Sequence, residues 1–217
     1  MLVELHCHSK FSDGLPSPKQ IMEKASRDLG AIAITDHNTQ AGLREARKTQ
    51  SKAILIPGVE ITCTHGEKKS HVLALGIEEF KQGDVFDVLD FVKSSGGVSI
   101  MAHPFRGFGY SFFDRKAWKL ADAIEVLNGG TIGTKNAMAL DMARRMKLSM
   151  TSGSDAHWLK FVGRYACEIP GHDVESILKS IRKGKAVLST RGTSAASILL
   201  HGTVRKSRIK MRKLARF

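Results

Sequence analysis

Residues 2–14 read LVELHCHSKFSDG: a short apolar strand runs into His6 and His8, and Asp13 follows. Two histidines two apart on a strand face the same side and can chelate one ion. The arrangement recurs along the chain. His37 follows AIAIT in ITDHN, Glu60 stands in IPGVEIT, and His71 heads SHVLALG. His103 closes IMAHP, and Asp155 and His157 close SGSDAH, again two residues apart. Imidazole and carboxylate together suit divalent Zn, Mn or Fe, with Mg a further candidate, and a carboxylate can bridge two ions. Nine such residues at the ends of successive strands predict a barrel of strands and helices with its site at one rim.

The rest of the chain alternates to match. Apolar runs suited to buried parallel strands lie at Leu2–Cys7, Ala31–Thr35, Ala53–Ile56, Val72–Leu75, Val98–Met101, Ala123–Leu127 and Ser149–Thr151. Ser17 followed by Pro18 starts a helix that runs to about Leu29 before Gly30. Val85, Val88, Leu89 and Val92 repeat at helical spacing, and residues 133–146 and 173–183 also read as helices. This α/β order allows an open doubly wound sheet as well as a barrel. Convergence of the nine residues favours a closed, distorted seven-stranded βα barrel of TIM-like type over residues 1–200.

The same motifs, in the same order, resemble the PHP family, named for its polymerase and histidinol phosphatase domains. They are His6–His8, Thr35–His37, Gly58–Glu60, His71, Ala102–Pro104 and Ser154–His157. The resemblance implies a seven-stranded PHP barrel and a three-ion site. His6, His8, Glu60 and Asp155 would hold the first ion, Glu60, His71 and His103 the second, and Asp13, His37 and His157 the third. Asp13 after the histidine pair looks most like the branch that acts on nucleotide phosphates and RNA 5′ ends. Fuller members of that branch carry a long insertion in the second half, for which this chain has little room.

Charge is uneven. The chain has 34 Lys and Arg against 21 Asp and Glu, a net +13. Residues 176–217 hold twelve of the basic residues and no acid, which leaves 22 basic against 21 acidic side chains before them. Residues 201–217 therefore read as a cationic arm that would attract RNA, DNA or a ribonucleoprotein, with a solvated tail or a contact with acidic protein as the alternatives. No run of about 18 apolar residues predicts a membrane span. With Glu4 so close to the start, no signal peptide is expected. Cys7, Cys63 and Cys167 are scattered and odd in number, as expected of reduced thiols in a cytoplasmic protein. Cys7 alternates with the two histidines and reads as a packing residue.

The predicted activity is hydrolysis of phosphate esters by a metal-activated hydroxide, with Asp13, His37, Glu60 and His157 nearest the chemistry. Arg106, Arg164 and Asn128 are the candidates for holding the phosphorylated substrate. Asp36 could orient His37 or cap the next helix. Phe108, Tyr110, Phe112 and Phe113 could stack a base, and His65, His172 and His201 read as surface residues. A small-molecule phosphatase of the histidinol phosphate type is the rival reading. A non-catalytic RNA-binding subunit is the third, against which all nine residues stand.

Overall fold

The computed structural model describes residues 1–107 and 113–190. Phe108, Tyr110, Phe112, His201 and the basic arm lie outside the described residues. Ten strands form: β1 (Leu2–Glu4), β2 (Ala31–Ile34), β3 (Ile54–His65), β4 (Lys68–Leu75), the two-residue β5 (Gly83–Asp84), β6 (Val98–Met101), β7 (Ala123–Asn128), β8 (Met150–Gly153), β9 (Tyr165–Glu168) and β10 (Val187–Thr190). Six α-helices accompany them: α1 (Pro18–Asp28), α2 (Leu43–Arg47), α3 (Val85–Ser94), α4 (Arg115–Leu120), α5 (Lys135–Arg145) and α6 (Val174–Arg182). Helix α1 starts as expected. Ser17 Oγ accepts the Gln20 N–H at 3.2 Å, and Gln20 Oε1 accepts the Ser17 N–H at 2.9 Å.

Each of the seven expected strands is present, and β5, β9 and β10 are added to them. The sheet runs β10-β9-β1-β2-β3-β4-β6-β7-β8, with β5 beside β3. Its two ends meet. His8 N–H donates to the Ala156 carbonyl at 2.9 Å, and Cys7 and Ala156 form a parallel bridge between the chain beyond β1 and the chain beyond β8. Below that bridge β9 fills the seam. Tyr165 N–H donates to Ser154 Oγ at 3.0 Å, and Ser152 N–H to Cys167 Sγ at 3.1 Å. The result is a barrel-like α/β fold.

One expectation changes. Val72–Leu75 was expected to run parallel to its neighbours, but β4 is antiparallel to both β3 and β6. His65 pairs with Lys68 across Gly66 and Glu67, with Gly66 at φ 58°, and a two-residue turn can only return a strand antiparallel. The reversal carries function. The N-terminal end of β4 lies where the other strands end, so His71 reaches the same rim.

Alternate residues of the strands divide the packing. Ile32 and Ile34 meet Ile21, Met22 and Ala25 of α1, while Ala31 and Ala33 share a cluster with Leu73, Leu75, Val98, Ile100 and α6. Val72, Ala74 and Met101 pack with α3 and Trp118 of α4. Helices thus cover one face, and the other face is filled by small and branched side chains over α6. Among the described residues no helix is long and apolar enough to cross a membrane.

Candidate metal centre

The strand ends bring all nine candidate residues together. Glu60, fully buried on β3, stands at the middle. Its Oε2 is 3.3 Å from His6 Nε2, 3.3 Å from His8 Nε2 and 3.0 Å from His37 Nδ1. Its Oε1 is 2.7 Å from His71 Nδ1 and 3.0 Å from His103 Nε2. Asp155 Oδ1 lies 3.2 Å from His8 Nε2 and 3.8 Å from His6 Nε2. Towards solvent, Asp13 Oδ2 is 3.0 Å from His157 Nε2 and 3.8 Å from His37 Nε2, and Asp13 Oδ1 is 3.7 Å from His8 Nδ1.

These groups fit divalent ions. Donors about 2.1 Å from one ion stand about 3.4 Å apart at tetrahedral angles. The four separations among His6, His8, Glu60 and Asp155 run from 3.2 to 3.8 Å. His6 Nε2, both ring nitrogens of His8 and Glu60 Oε2 are buried and make no hydrogen bond among the described residues. Buried polar atoms left so are costly, and an ion bound between them removes that cost. Four sets of three or four residues offer donor atoms within 4.8 Å of one another: His8, Asp13, His37 and His157; His6, His103 and Asp155; His6, His8 and Glu60; His37, Glu60 and His71. His37 thus stands between Glu60 and Asp13 and faces both.

The charge states suit such a role. Burial opposes charge on Glu60, but His37, His71 and His6 around it hold its carboxyl well below the usual range. Asp13 is likewise held low against burial, mainly by His157. Burial pushes His8, His37 and His103 down, so their rings keep a free lone pair near neutral pH. His6 differs: against burial, Glu125 and Glu60 on either side push it up to about 10.

Outer contacts fix these side chains. His157 Nδ1 lies 2.8 Å from the Asp155 carbonyl, which turns Nε2 towards Asp13. Among the described residues Asp36 makes no hydrogen bond to His37, and α2 has no side-chain cap. The Asp36 carboxylate accepts Ser9 N–H at 2.7 Å, Ser9 Oγ at 2.5 Å and Ser12 Oγ at 2.6 Å, and so pins the loop that carries Asp13. His103 and Asp155 hold left-handed backbone, with φ 31° and 48°, and Asn38 beside His37 has φ 50°. Such conformations in non-glycine residues mark sites where the surroundings override local preference. Two buried acids were missed from sequence. Glu4 accepts the N–H groups of His6, Ser154 and Gly163 at 2.9–3.0 Å, tying β1 to the seam, and burial pushes its carboxyl up. Glu125 touches His6, His103 and Asn128. The available signal was an acid inside an apolar run, as in LVEL and AIEVL.

The substrate candidates separate. Arg106 lies at the edge of the cluster, where its Nη2 donates to Asp155 Oδ2 and, at 3.2 Å, to Asn128 Oδ1. Asn128 Oδ1 also accepts Gly130 N–H at 2.9 Å. Gly130 leaves room there, for a Cβ would meet the Arg106 guanidinium at 2.1 Å. Arg164 instead lies over the Phe161 ring, 4.9 Å from its centre. Phe113 packs on Trp118. His65 pairs with Asp84, and His172 is exposed, both outside the cluster.

A barrel-like fold with clustered imidazoles and carboxylates at its strand ends defines a class, the metal-dependent hydrolases. Residues 4–144 match the profile of the PHP domain and residues 133–186 that of the PHP-associated region, and the chain belongs to the PHP family. It is 37% identical over 84 residues, 36% of the chain, to a phosphoribosyl 1,2-cyclic phosphate 1,2-diphosphodiesterase of Eggerthella lenta. It is 36% identical over 83 residues, again 36% of the chain, to a 5′-3′ exoribonuclease of Salmonella typhimurium. These matches span 32% and 28% of those two enzymes. Among solved structures, a Bacteroides vulgatus two-domain protein containing a predicted PHP-like metal-dependent phosphoesterase superposes with a TM-score of 0.73 at 20% identity, over 94% of this chain and 69% of that one. The chain is a metal-dependent phosphoesterase by family.

Proposed function

We propose that this protein hydrolyses phosphate esters of nucleotides or of nucleic-acid 5′ ends. One observation carries the reading: the only members of the nine that reach solvent appreciably are Asp13 and His37, with side chains 26% and 20% exposed. The site thus opens at Asp13, the position at which the chain looks most like the nucleotide branch. Likeness to the Salmonella exoribonuclease over 83 residues supports the same branch. In this reading His6, His8, Glu60 and Asp155 hold one ion, Glu60, His71 and His103 a second, and Asp13, His37 and His157 a third. Bound divalent ions supply Lewis-acid stabilisation of phosphoryl oxygens and a water acidified to near neutral pH. Glu60 presents one oxygen to each of two imidazole groups, which keeps two positions adjacent. Arg106, steadied by Asn128 and Asp155, contacts the phosphate in preference to Arg164, whose guanidinium is engaged on Phe161. The site is buried behind its mouth, so a phosphoester enters end first and water is excluded around it.

The likeness to the Eggerthella diphosphodiesterase favours a small ribosyl phosphate ester as the second reading. The three buried thiols, Cys7, Cys63 and Cys167, support a cytoplasmic location. We assign the basic arm to recruitment of RNA or DNA. Metal analysis of the purified protein, with a panel of mononucleotides, 3′,5′-bisphosphates, a ribosyl cyclic phosphate and 5′-phosphorylated RNA, tests the assignment. Activity confined to the cyclic phosphate selects the second reading, and activity that survives complete chelation overturns both. Removal of residues 202–217 is expected to raise KM for long RNA while leaving kcat for a mononucleotide unchanged. Equal losses on both substrates would sink recruitment.

A further inference from the structure

We infer that Glu125 is the positioning residue of this centre: it sets which ring nitrogen of His6 faces the ions and anchors the backbone of His103. The inference rests on the metal reading above. Glu125 lies on β7 and is 1% exposed. Its Oε1 is 2.9 Å from His6 Nδ1, and its Oε2 accepts His103 N–H and Asn128 Nδ2, each at 2.9 Å. With Nδ1 held as a donor to the carboxylate, Nε2 is the nitrogen that faces Glu60 and Asp155, where a bound ion would take the place of its proton. The second oxygen steadies His103, whose backbone is at φ 31°.

Two local features make the placement possible. The pairing of β7 with β8 slips between Glu125 and Leu127, a bulge that lets Glu125 and Asn128, three residues apart, meet on one side. Residue 153 is glycine, and a Cβ there would stand 2.4 Å from Glu125 Oε1 and 2.5 Å from His6 Cβ. Room for the His6–Glu125 pair depends on that glycine.

The isosteric change Glu125→Gln gives a sharp test. Two N–H donors, from His103 and Asn128, hold the amide oxygen on their side. The amide NH2 then faces His6 Nδ1, which must accept, so the proton moves to Nε2 and blocks the position an ion needs. Zn2+ and Mn2+ affinities are measured by competition with a chromophoric chelator for the parent, Glu125→Gln, His6→Ala and the double variant. We expect Glu125→Gln to weaken binding by about 10–100-fold. The double variant should bind no more weakly than His6→Ala alone, since the effect passes through His6. Melting of the chelated Glu125→Gln protein should match the parent, and ring 15N shifts should show that His6 Nδ1, protonated in the parent, has lost its proton in the variant. Should Glu125→Gln fail to fold, Glu125→Ala, which frees the His6 ring and the His103 N–H together, must weaken binding by less in the His6→Ala background than in the parent, the remainder being the His103 anchor. Parent-like affinity, or losses that add in the double variant, would overturn the inference while leaving the metal reading intact. A parent that binds neither ion would instead overturn the metal reading first.

Discussion

The floor of the site and its mouth are built differently. On the floor, His6, His8, Glu60 and Asp155 are fully buried, and their surroundings are strands, a glycine and interior carboxylates. At the mouth, Asp13 and His37 reach solvent, and Asp13 sits on a loop that Asp36 ties down through Ser9 and Ser12. Floor residues have neighbours on every side, so a changed atom has nowhere to relax. The mouth can shift at the expense of a few polar contacts. Changes on the floor should therefore abolish function or folding, and changes at the mouth should tune the rate.

The largest effect is expected at Glu60. Glu60→Gln keeps the shape but turns one oxygen into a donor facing imidazoles, so bridging fails from one side. Phosphoesterase activity should fall by about 10² or more, with bound metal lost and the circular dichroism unchanged. A variant with full metal content and parental rate would erase the distinction between floor and mouth.

Next comes Gly153→Ala, which places a methyl between Glu125 and His6. Overpacking of this kind should destabilise by about 2–3 kcal/mol, a fall in Tm of roughly 5–10 °C. Gly66→Ala at the β3–β4 turn is the matched control. Its Cβ would meet nothing within 4 Å, so only the left-handed backbone opposes it, at about 1 kcal/mol. Similar melting of the two variants would show that the floor is looser than its packing implies.

Legibility in the sequence follows the same division. The nine rim residues stand out because nearly every one follows or heads a short apolar run, Asp13 on its loop excepted, and strand ends converge once a barrel closes. The seven strands were readable for the same reason. Direction was not: β4 looks like a parallel strand until the two residues between His65 and Lys68 are recognised as the whole connection. Helices α2 and α4, of five and six residues, are too short for periodicity to register. Strands β9 and β10 owe their place to the seam they fill, a tertiary contact that no local pattern announces. Glu4 and Glu125 were passed over because an acid in an apolar strand reads as an interruption until its donors are known.

A smaller effect is expected at the mouth. Asp36→Ala releases Ser9 and Ser12, so Asp13 loses its support while the floor keeps its donors. The rate should fall about tenfold with a raised KM, and the floor should retain its ions. Steady-state kinetics beside metal content checks this. Complete loss of metal in Asp36→Ala would mean that the two regions assemble as one.

The smallest effect lies outside the site, at Asp84 on the start of α3. Its Oδ1 accepts the Phe86 N–H at 2.9 Å, and its Oδ2 is 2.9 Å from His65 Nδ1. The contact with His65, and then the bond from Phe86, hold this carboxyl below its ordinary 3.8. A carboxyl with a depressed folded value stabilises the fold above the unfolded pKa, and that contribution disappears as pH falls through the folded value. Asp84 is 38% exposed, so solvent screens its pairing with His65, and the helix cap is the larger share. Asp84→Ala should cost about 1 kcal/mol at neutral pH. The gap in Tm between parent and variant should hold from neutral pH to about 4 and close below it. Metal affinity and rate should not change, since among the described residues Asp84 contacts His65 and Phe86 and none of the cluster side chains. A gap that persists at pH 2–3 would show that the acid contributes through backbone geometry and not through its charge.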